Sequence, residues 1–288
     1  MRARLLDQVS AIRACDPLVR EDAREAVHDM RVAVRRARNV LATCRPLFVG
    51  EQTAAVRAEL KWLAATLGEP RDAEVMRERL SRKLADEPPE LVLSAGYRRI
   101  DEDMRVQHER ARARMLAALD SQRYTTLIAA LEDLAACPPW SDQADRPVDD
   151  VLRAGVRRDY RRLARKVAEA HEDVETSERE HRLHEARKAA KRVRYATETV
   201  TVVYGKPAKK FVRAMNRVQS VLGDHHDAFV TQERLRELAD DVASTGDNAF
   251  VFGVLHAREE RALLETDDQF SDLWRSVSRK RRRRWLSA

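Results

Sequence analysis

Along most of this chain apolar side chains recur three and four positions apart, the period at which one face of an α-helix meets a core. Val27, Met30, Val34, Ala37 and Leu41 mark one such stripe, and Leu183, Ala186, Ala190 and Val193 mark another. Breaks in the pattern divide the chain. A short helix is predicted over Met1–Ala14, and Asp16-Pro17 opens a second that runs to Cys44 and ends at Arg45-Pro46. Glu51–Leu67 follows, stopped by Gly68, then Asp72–Ala85, which ends at Pro88-Pro89, then Glu90–Leu119 and Arg123–Ala136. The stretch from Pro138 to Pro147 reads as a linker. Beyond it the pattern predicts helices over Val148–Glu172, Ser177–Tyr204, Pro207–Leu222, Asp227–Ala243, Asn248–Thr266 and Phe270–Leu286. The expected fold class is all-α, with about six helical segments on each side of the linker.

Composition supports helices over strands: 36% of residues are charged, 5% are aromatic and only 8 of 288 are glycine. A chain of this length can bury a proper core as one large domain or two ordinary ones. The net charge of +7 is the small difference between 55 basic and 48 acidic residues, so most charge is mixed helix surface. Only local segregation is informative. Cys15, Cys44 and Cys137 lie far apart and in no C-x-x-C arrangement, which argues against a disulfide framework or zinc site and for a reducing compartment. The first residues lack a signal peptide's apolar run, and no apolar stretch reaches the length of a bilayer span. The expectation is a soluble cytoplasmic protein with no membrane partner.

Charge segregates most strongly between Arg24 and Arg38. On a helix turning about 100° per residue, Arg24, His28, Arg31, Arg35 and Arg38 share a stripe about 80° wide, beside the apolar one. Like charges stacked at this spacing cost a few tenths of a kcal/mol per pair, so the face is suited to an anion. Lys206, Lys209, Lys210, Arg213 and Arg217 segregate in the same way on a later helix. Arg57 and Lys61 are a weaker counterpart in the first half.

The chain also repeats itself. A shift of 156 residues carries His28, Arg31, Arg36 and Arg38 onto His184, Arg187, Arg192 and Arg194, and Arg35 onto Lys191. A shift of 155 carries Leu67-Gly68-x-x-x-Asp72 onto Leu222-Gly223-x-x-x-Asp227. Two linked motifs at nearly one offset indicate a tandem duplication with a pseudo-two-fold axis, the repeats being residues 1–137 and 148–288, joined by the linker 138–147.

The paired motifs, His-x-x-Arg-x-x-x-Arg-Arg-x-Arg and His-x-x-Arg-x-x-x-Lys-Arg-x-Arg-Tyr, each followed by Leu-Gly-x-x-x-Asp, resemble those of the conserved histidine α-helical domain (CHAD) family over essentially the whole chain. The resemblance implies two helical bundles around a basic central pore or groove that binds inorganic polyphosphate, as a binding protein and not an enzyme. It also suggests targeting to polyphosphate granules. CHAD domains often follow a CYTH domain, whose Glu-x-Glu-x-Lys signature is absent here, so no hydrolase or cyclase activity is inherited.

Arginine suits such a ligand because it stays charged and forks onto two phosphate oxygens. On this reading Arg31, Arg35 and Arg38 form one wall of the channel, and Arg187, Lys191 and Arg194 the other. Arg24, His28, Arg36, His184, Lys188 and Arg192 flank them, and the stripes at Arg57 and Lys61 and at Lys206–Arg217 extend the basic surface. Protonation of His28 and His184 is expected to strengthen binding below about pH 6.5. Gly68 and Gly223 are expected to end helices, and Asp72 and Asp227 to sit at an N-cap or in a first turn. Arg71 and His226 match each other in the two copies and are candidates to reach the anion, with His225 beside them. The block Arg279–Arg284 extends the anion surface, touches nucleic acid or is a solvated helix end.

Two other classes compete. A general phosphate-backbone module would use the same stripes, with nucleic acid also a secondary ligand of a polyphosphate binder, but aromatics for base stacking are few. A metal enzyme would draw on His28-Asp29, as a metal-dependent phosphohydrolase does, or on Glu25-x-x-His28 and Glu178-x-x-His181, which imitate the pairs of di-iron bundles. The flanking arginines would repel a metal, so no cofactor, metal or catalytic residue is assigned.

Overall fold

Leu5, Val9, Ile12 and Val19 are buried along one face of the first helix, α1 (Arg2–Arg20). The computed structural model describes residues 1–85, 87, 95–244 and 248–286. Within them lie nine α-helices and three short 3-10 helices, with no strand beyond an isolated bridge between Phe48 and Trp140. After α1 come α2 (Ala26–Thr43), α3 (Gln52–Thr66), α4 (Gly68–Leu84), α5 (Ala95–Leu119) and α6 (Gln122–Ala136). Then follow α7 (Val148–Ala170), α8 (Thr176–Ser244) and α9 (Phe250–Val277). No helix among the described residues is long and apolar enough to cross a membrane.

Several boundaries differ from the sequence expectation, each for a local reason. Pro17 does not open a helix; it lies in the last turn of α1. That turn is held because Val19 is fully buried and Asp16 accepts a hydrogen bond from the Tyr124 hydroxyl at 2.8 Å. The break falls instead at Glu21–Glu25, where Asp22 and Glu25 take φ of 59° and 62°. Arg24 therefore precedes α2 and is exposed, outside the helical stripe assigned to it. The helix predicted from Asp72 begins at Gly68 and includes Pro70 in its first turn. The expected start at Glu90 lies outside the described residues, which resume at Ala95.

Three helices predicted between Ser177 and Ala243 are one element, α8, bent only at Gly205 (φ 53°, ψ −128°). Positive φ is open to glycine at no steric cost, so the chain folds back there into two arms, and the second arm runs on through Gly223 and Asp227 without a break. Likewise α9 passes through Thr266 and Phe270, both buried on its inner face, to Val277. The basic tail then turns in a 3-10 helix (Lys280–Leu286). Trp285 packs on Tyr204 and Phe211 with ring centroids 5.3 and 5.9 Å away. The linker is pinned as well: Trp140 stacks on Phe48 at 5.7 Å, and the Val49 amide donates to the Pro139 carbonyl.

Three main apolar cores result. One joins α1, α2, α3, α6 and the end of α5; the second joins α7, both arms of α8 and the end of α9. The third draws on both sides of the linker: Leu80 and Leu84 of α4, Ile100 and Met104 of α5, Leu235 and Leu238 of α8, and Val251, Phe252 and Leu255 of α9. Gly96 permits this closeness, since a Cβ there would stand 2.6 Å from Val251 Cγ1. Arg79 adds a forked ion pair to the fully buried Glu259, and Arg234 another to Asp103.

Candidate functional site

Small inward residues, Ala33 and Ala37 on α2 and Ala186, Ala189 and Ala190 on the first arm of α8, are buried on the helices that carry the two basic stripes, and these helices pack together. The neighbouring charges then have little room to spread. Arg35 feels Arg31 and Arg38 on its own helix and Arg187 across the gap; burial first, and these charges second, push its pKa down to about 10. Lys191 is pushed to about 6, by burial first and then by Arg35, Arg187 and Arg31. Arg38 lies near Arg192 and Arg57, and Arg57 near Arg192 and Arg45; burial and these cations lower both. Arg31, Arg35, Arg38, Arg57, Arg187 and Arg192 thus form one half-buried cationic cluster around the Lys191 amine.

Among the described residues no carboxylate lies within 4 Å of Arg35, Arg38, Arg57, Lys191 or Arg192. Two like charges about 8 Å apart repel by about 2 kcal/mol at an effective dielectric constant near 20. An anion that neutralises several at once relieves many such pairs.

The two stripes are anchored alike. Arg31 Nη1 donates to Asp72 at 3.2 Å, and Arg187 Nη2 lies 3.5 Å from Asp227. In each case the guanidinium crosses the glycine of the Leu-Gly-x-x-x-Asp motif: a Cβ on Gly68 would be 3.5 Å from Arg31 Nη2, and one on Gly223 would be 3.9 Å from Arg187. As expected, α3 ends just before Gly68, but the rest of the capping expectation is corrected. Neither glycine has positive φ, Gly68 starts a helix, Gly223 lies inside one, and neither aspartate is a cap. The motif orients an arginine. Its buried Nε has no hydrogen-bond partner at either Arg31 or Arg187, and the same holds at Arg57 and Arg194. Unpaired buried donors are costly, and the same is seen at the Nε of Arg282 and Arg283, outside the cluster.

The histidines divide. His184 and His226 sit with Nδ1 atoms 3.3 Å apart. Burial, then neighbouring cations, lower both, His226 to about 3. The same surroundings that disfavour the charged form of His226 act on His184. His28 is exposed on α2. His225 is buried and turned away from the cluster, with Nε2 2.9 Å from Glu180 and Nδ1 3.1 Å from the Thr266 hydroxyl.

Other predicted residues stand apart. Arg71 is held by Glu74 at 2.7 Å, with Glu25 at 3.9 Å. Lys188 pairs with Glu185, and Glu198 holds Arg194 at 2.9 Å with Arg36 at 3.8 Å. Lys61, Lys206, Lys209, Lys210, Arg213 and Arg217 are exposed. Arg45, beside Arg57, was missed because it follows the end of α2 and belongs to no stripe. Asp72 and Asp227 were singled out by the motif but given the wrong task.

Fold and site together define an all-α protein with a half-buried cationic cluster between two packed helices. Among known proteins, the chain is 33% identical over 253 residues to uncharacterised proteins of Mycobacterium tuberculosis strains CDC 1551 and H37Rv. The match covers 88% of this chain and 48% of theirs, so the chain spans about half the length of these relatives. PptA from Streptomyces chartreusis has a similar fold, with a TM-score of 0.76 at 22% identity over 95% of this chain and 97% of that one. The CHAD domain from the plant Ricinus communis superposes with a TM-score of 0.66 at 23% identity, covering all of this chain and 90% of that one. Residues 3–236 match the CHAD domain, and the chain belongs to that family, generally one of non-catalytic binding domains.

Proposed function

We propose that the chain binds inorganic polyphosphate, without turning it over, in the cluster between α2 and the first arm of α8, and that its two halves are copies arranged about a pseudo-two-fold axis with this cluster at the shared pore. The observation that carries the reading is the set of half-buried cations left without a carboxylate. A ligand with a negative charge on each phosphate and no bases fits a site made of guanidiniums with no stacking aromatics. Family membership supports the same class of ligand. Recruitment to polyphosphate granules would follow from such binding.

Titration with polyphosphates of defined length at two salt concentrations tests this. Affinity should rise with chain length and fall steeply with salt as condensed counterions are released. The double variant Arg35→Ala, Arg187→Ala should bind at least about tenfold more weakly, a loss of about 1.4 kcal/mol. Unchanged binding by a variant with wild-type circular dichroism would remove the cluster as the site. Displacement of long polyphosphate by duplex DNA at equal phosphate concentration would favour the nucleic-acid reading instead.

A further inference from the structure

We propose that Lys191 is a covalent acceptor for small phosphate-bearing acyl donors of the acyl phosphate class, steered onto it by Arg35 and Arg187, and that its acylation closes the anion site. The proposal rests on the anion-binding reading above and adds a chemistry to it. Lys191 stands one helical turn beyond Arg187, and the amine faces Arg31 and Arg35 from α2. From the second arm of α8 come His226 and Asp227. Asp227 is the one acid among these neighbours, and it is engaged with Arg187. No hydrogen bond or ion pair holds the Lys191 amine among the described residues, and the side chain is partly open to solvent.

Two consequences follow from that placement. Burial and the surrounding cations disfavour the ammonium form, so at neutral pH the nitrogen carries a free lone pair. The same arginines are phosphate ligands, and in an acyl phosphate the carbonyl carbon is joined to the phosphorus through a single oxygen. A phosphate held by Arg35 and Arg187 therefore brings that carbon to the amine. The lone pair attacks the carbonyl carbon and the bond from that carbon to the bridging oxygen breaks. Inorganic phosphate leaves with the electron pair, and the amine proton passes to it or to water. The products are an Nζ-acyl amide and phosphate, with no oxidant or reductant involved. The amide cannot be protonated, so the cluster loses a charge it would otherwise gain on binding an anion, and its acyl group occupies the gap.

Acetyl phosphate is the probe, with acetylation rates at each lysine followed by mass spectrometry between pH 6.5 and 9. Lys191 should react at least about tenfold faster than exposed Lys61 and Lys206 at pH 7.5. Its rate should level off above pH 7, while theirs climb about tenfold per unit. Long polyphosphate should protect Lys191 alone, Arg35→Met should erase its advantage, and acetylated protein should bind polyphosphate at least about tenfold more weakly. Labelling of Lys191 no faster than Lys61, or a rate still climbing tenfold per unit to pH 9, overturns the proposal. Polyphosphate binding is measured in parallel on untreated protein. Binding with an inert Lys191 removes this inference and leaves the function reading. Fast labelling of Lys191 without polyphosphate binding keeps the acceptor and removes that reading.

Discussion

Arg79 and Lys83 on α4 converge on one carboxylate, whereas Arg35 and Lys191, equally crowded between helices, meet none. Glu259 is fully buried, accepts a fork from Arg79 at 2.6–3.0 Å and lies 3.5 Å from Lys83. Arg234 and Asp103 repeat that arrangement elsewhere in the third core. The cluster between α2 and α8 has the same residue types and similar burial, but Asp72 and Asp227 engage only Arg31 and Arg187, and the buried Asp159 lies near Arg192 without an ion-pair contact. Where a cation ties helices together this chain provides an acid of its own. Where the acid is missing, the proposed anion would supply the compensating charge.

The contrast is best attacked through its paired member first. Glu259→Gln strands Arg79 and Lys83 without their partner, and losing one side of a buried pair costs about 3–5 kcal/mol. Urea unfolding should show a large drop in midpoint; an unchanged one would deprive the pair of its stitching role.

The unpaired member predicts a pH response. Lys191 has a folded pKa well below its unfolded value, so the unfolded chain takes up that proton first on acidification. Stability in phosphate-free buffer should therefore fall from pH 9.5 to pH 6.5 by about 1–3 kcal/mol, a range discounted for the partial exposure of the amine. His226 continues the loss between about pH 6.5 and its folded value near 3. Added polyphosphate should reverse the fall at pH 6.5. Thermal melts that are level across this range would show the cluster to be compensated already.

A smaller effect has the opposite sign to most core substitutions. Arg35→Met removes one repelling charge at a position with no acid to strand, and the unliganded fold should gain about 1 kcal/mol while losing anion affinity. A destabilised variant would place Arg35 among the paired arginines. Smallest of all is Arg123→Ala. Its exposed bond to Glu59 and its stacking over Trp62 at 4.1 Å should leave the unfolding midpoint in place.

Much of this was legible in the sequence because helical period and charge are both local. Arg31, Arg35 and Arg38 could be set on one face from spacing alone, and the offset of 156 residues named Arg187 and Lys191 as their partners. What spacing cannot report is what lies opposite. Gly223 read as a helix end because glycine usually marks one, yet it lies inside the second arm of α8 with the Arg187 guanidinium of the first arm over it. Gly68, which does follow the end of α3, lies under Arg31 of α2. Pro17 read as a helix start because its cost is local, while the contacts that outweigh it come from Tyr124, more than a hundred residues away. The stripe at Lys206–Arg217 was assigned to the site from its charge, and nothing in a helical wheel distinguishes a face turned to solvent from one turned to the cluster.

The third core also sets a timetable. Its first contributors, Leu80 and Leu84, leave the ribosome long before Val251, Phe252 and Leu255 exist. At about 5–20 residues per second, the interval is on the order of ten seconds. Until then α4 and α5 carry an apolar face whose cover has not been made. The N-terminal half must therefore wait in a form that a chaperone would recognise, and synthesis halted at the Pro138–Pro147 linker would release a fragment inclined to aggregate.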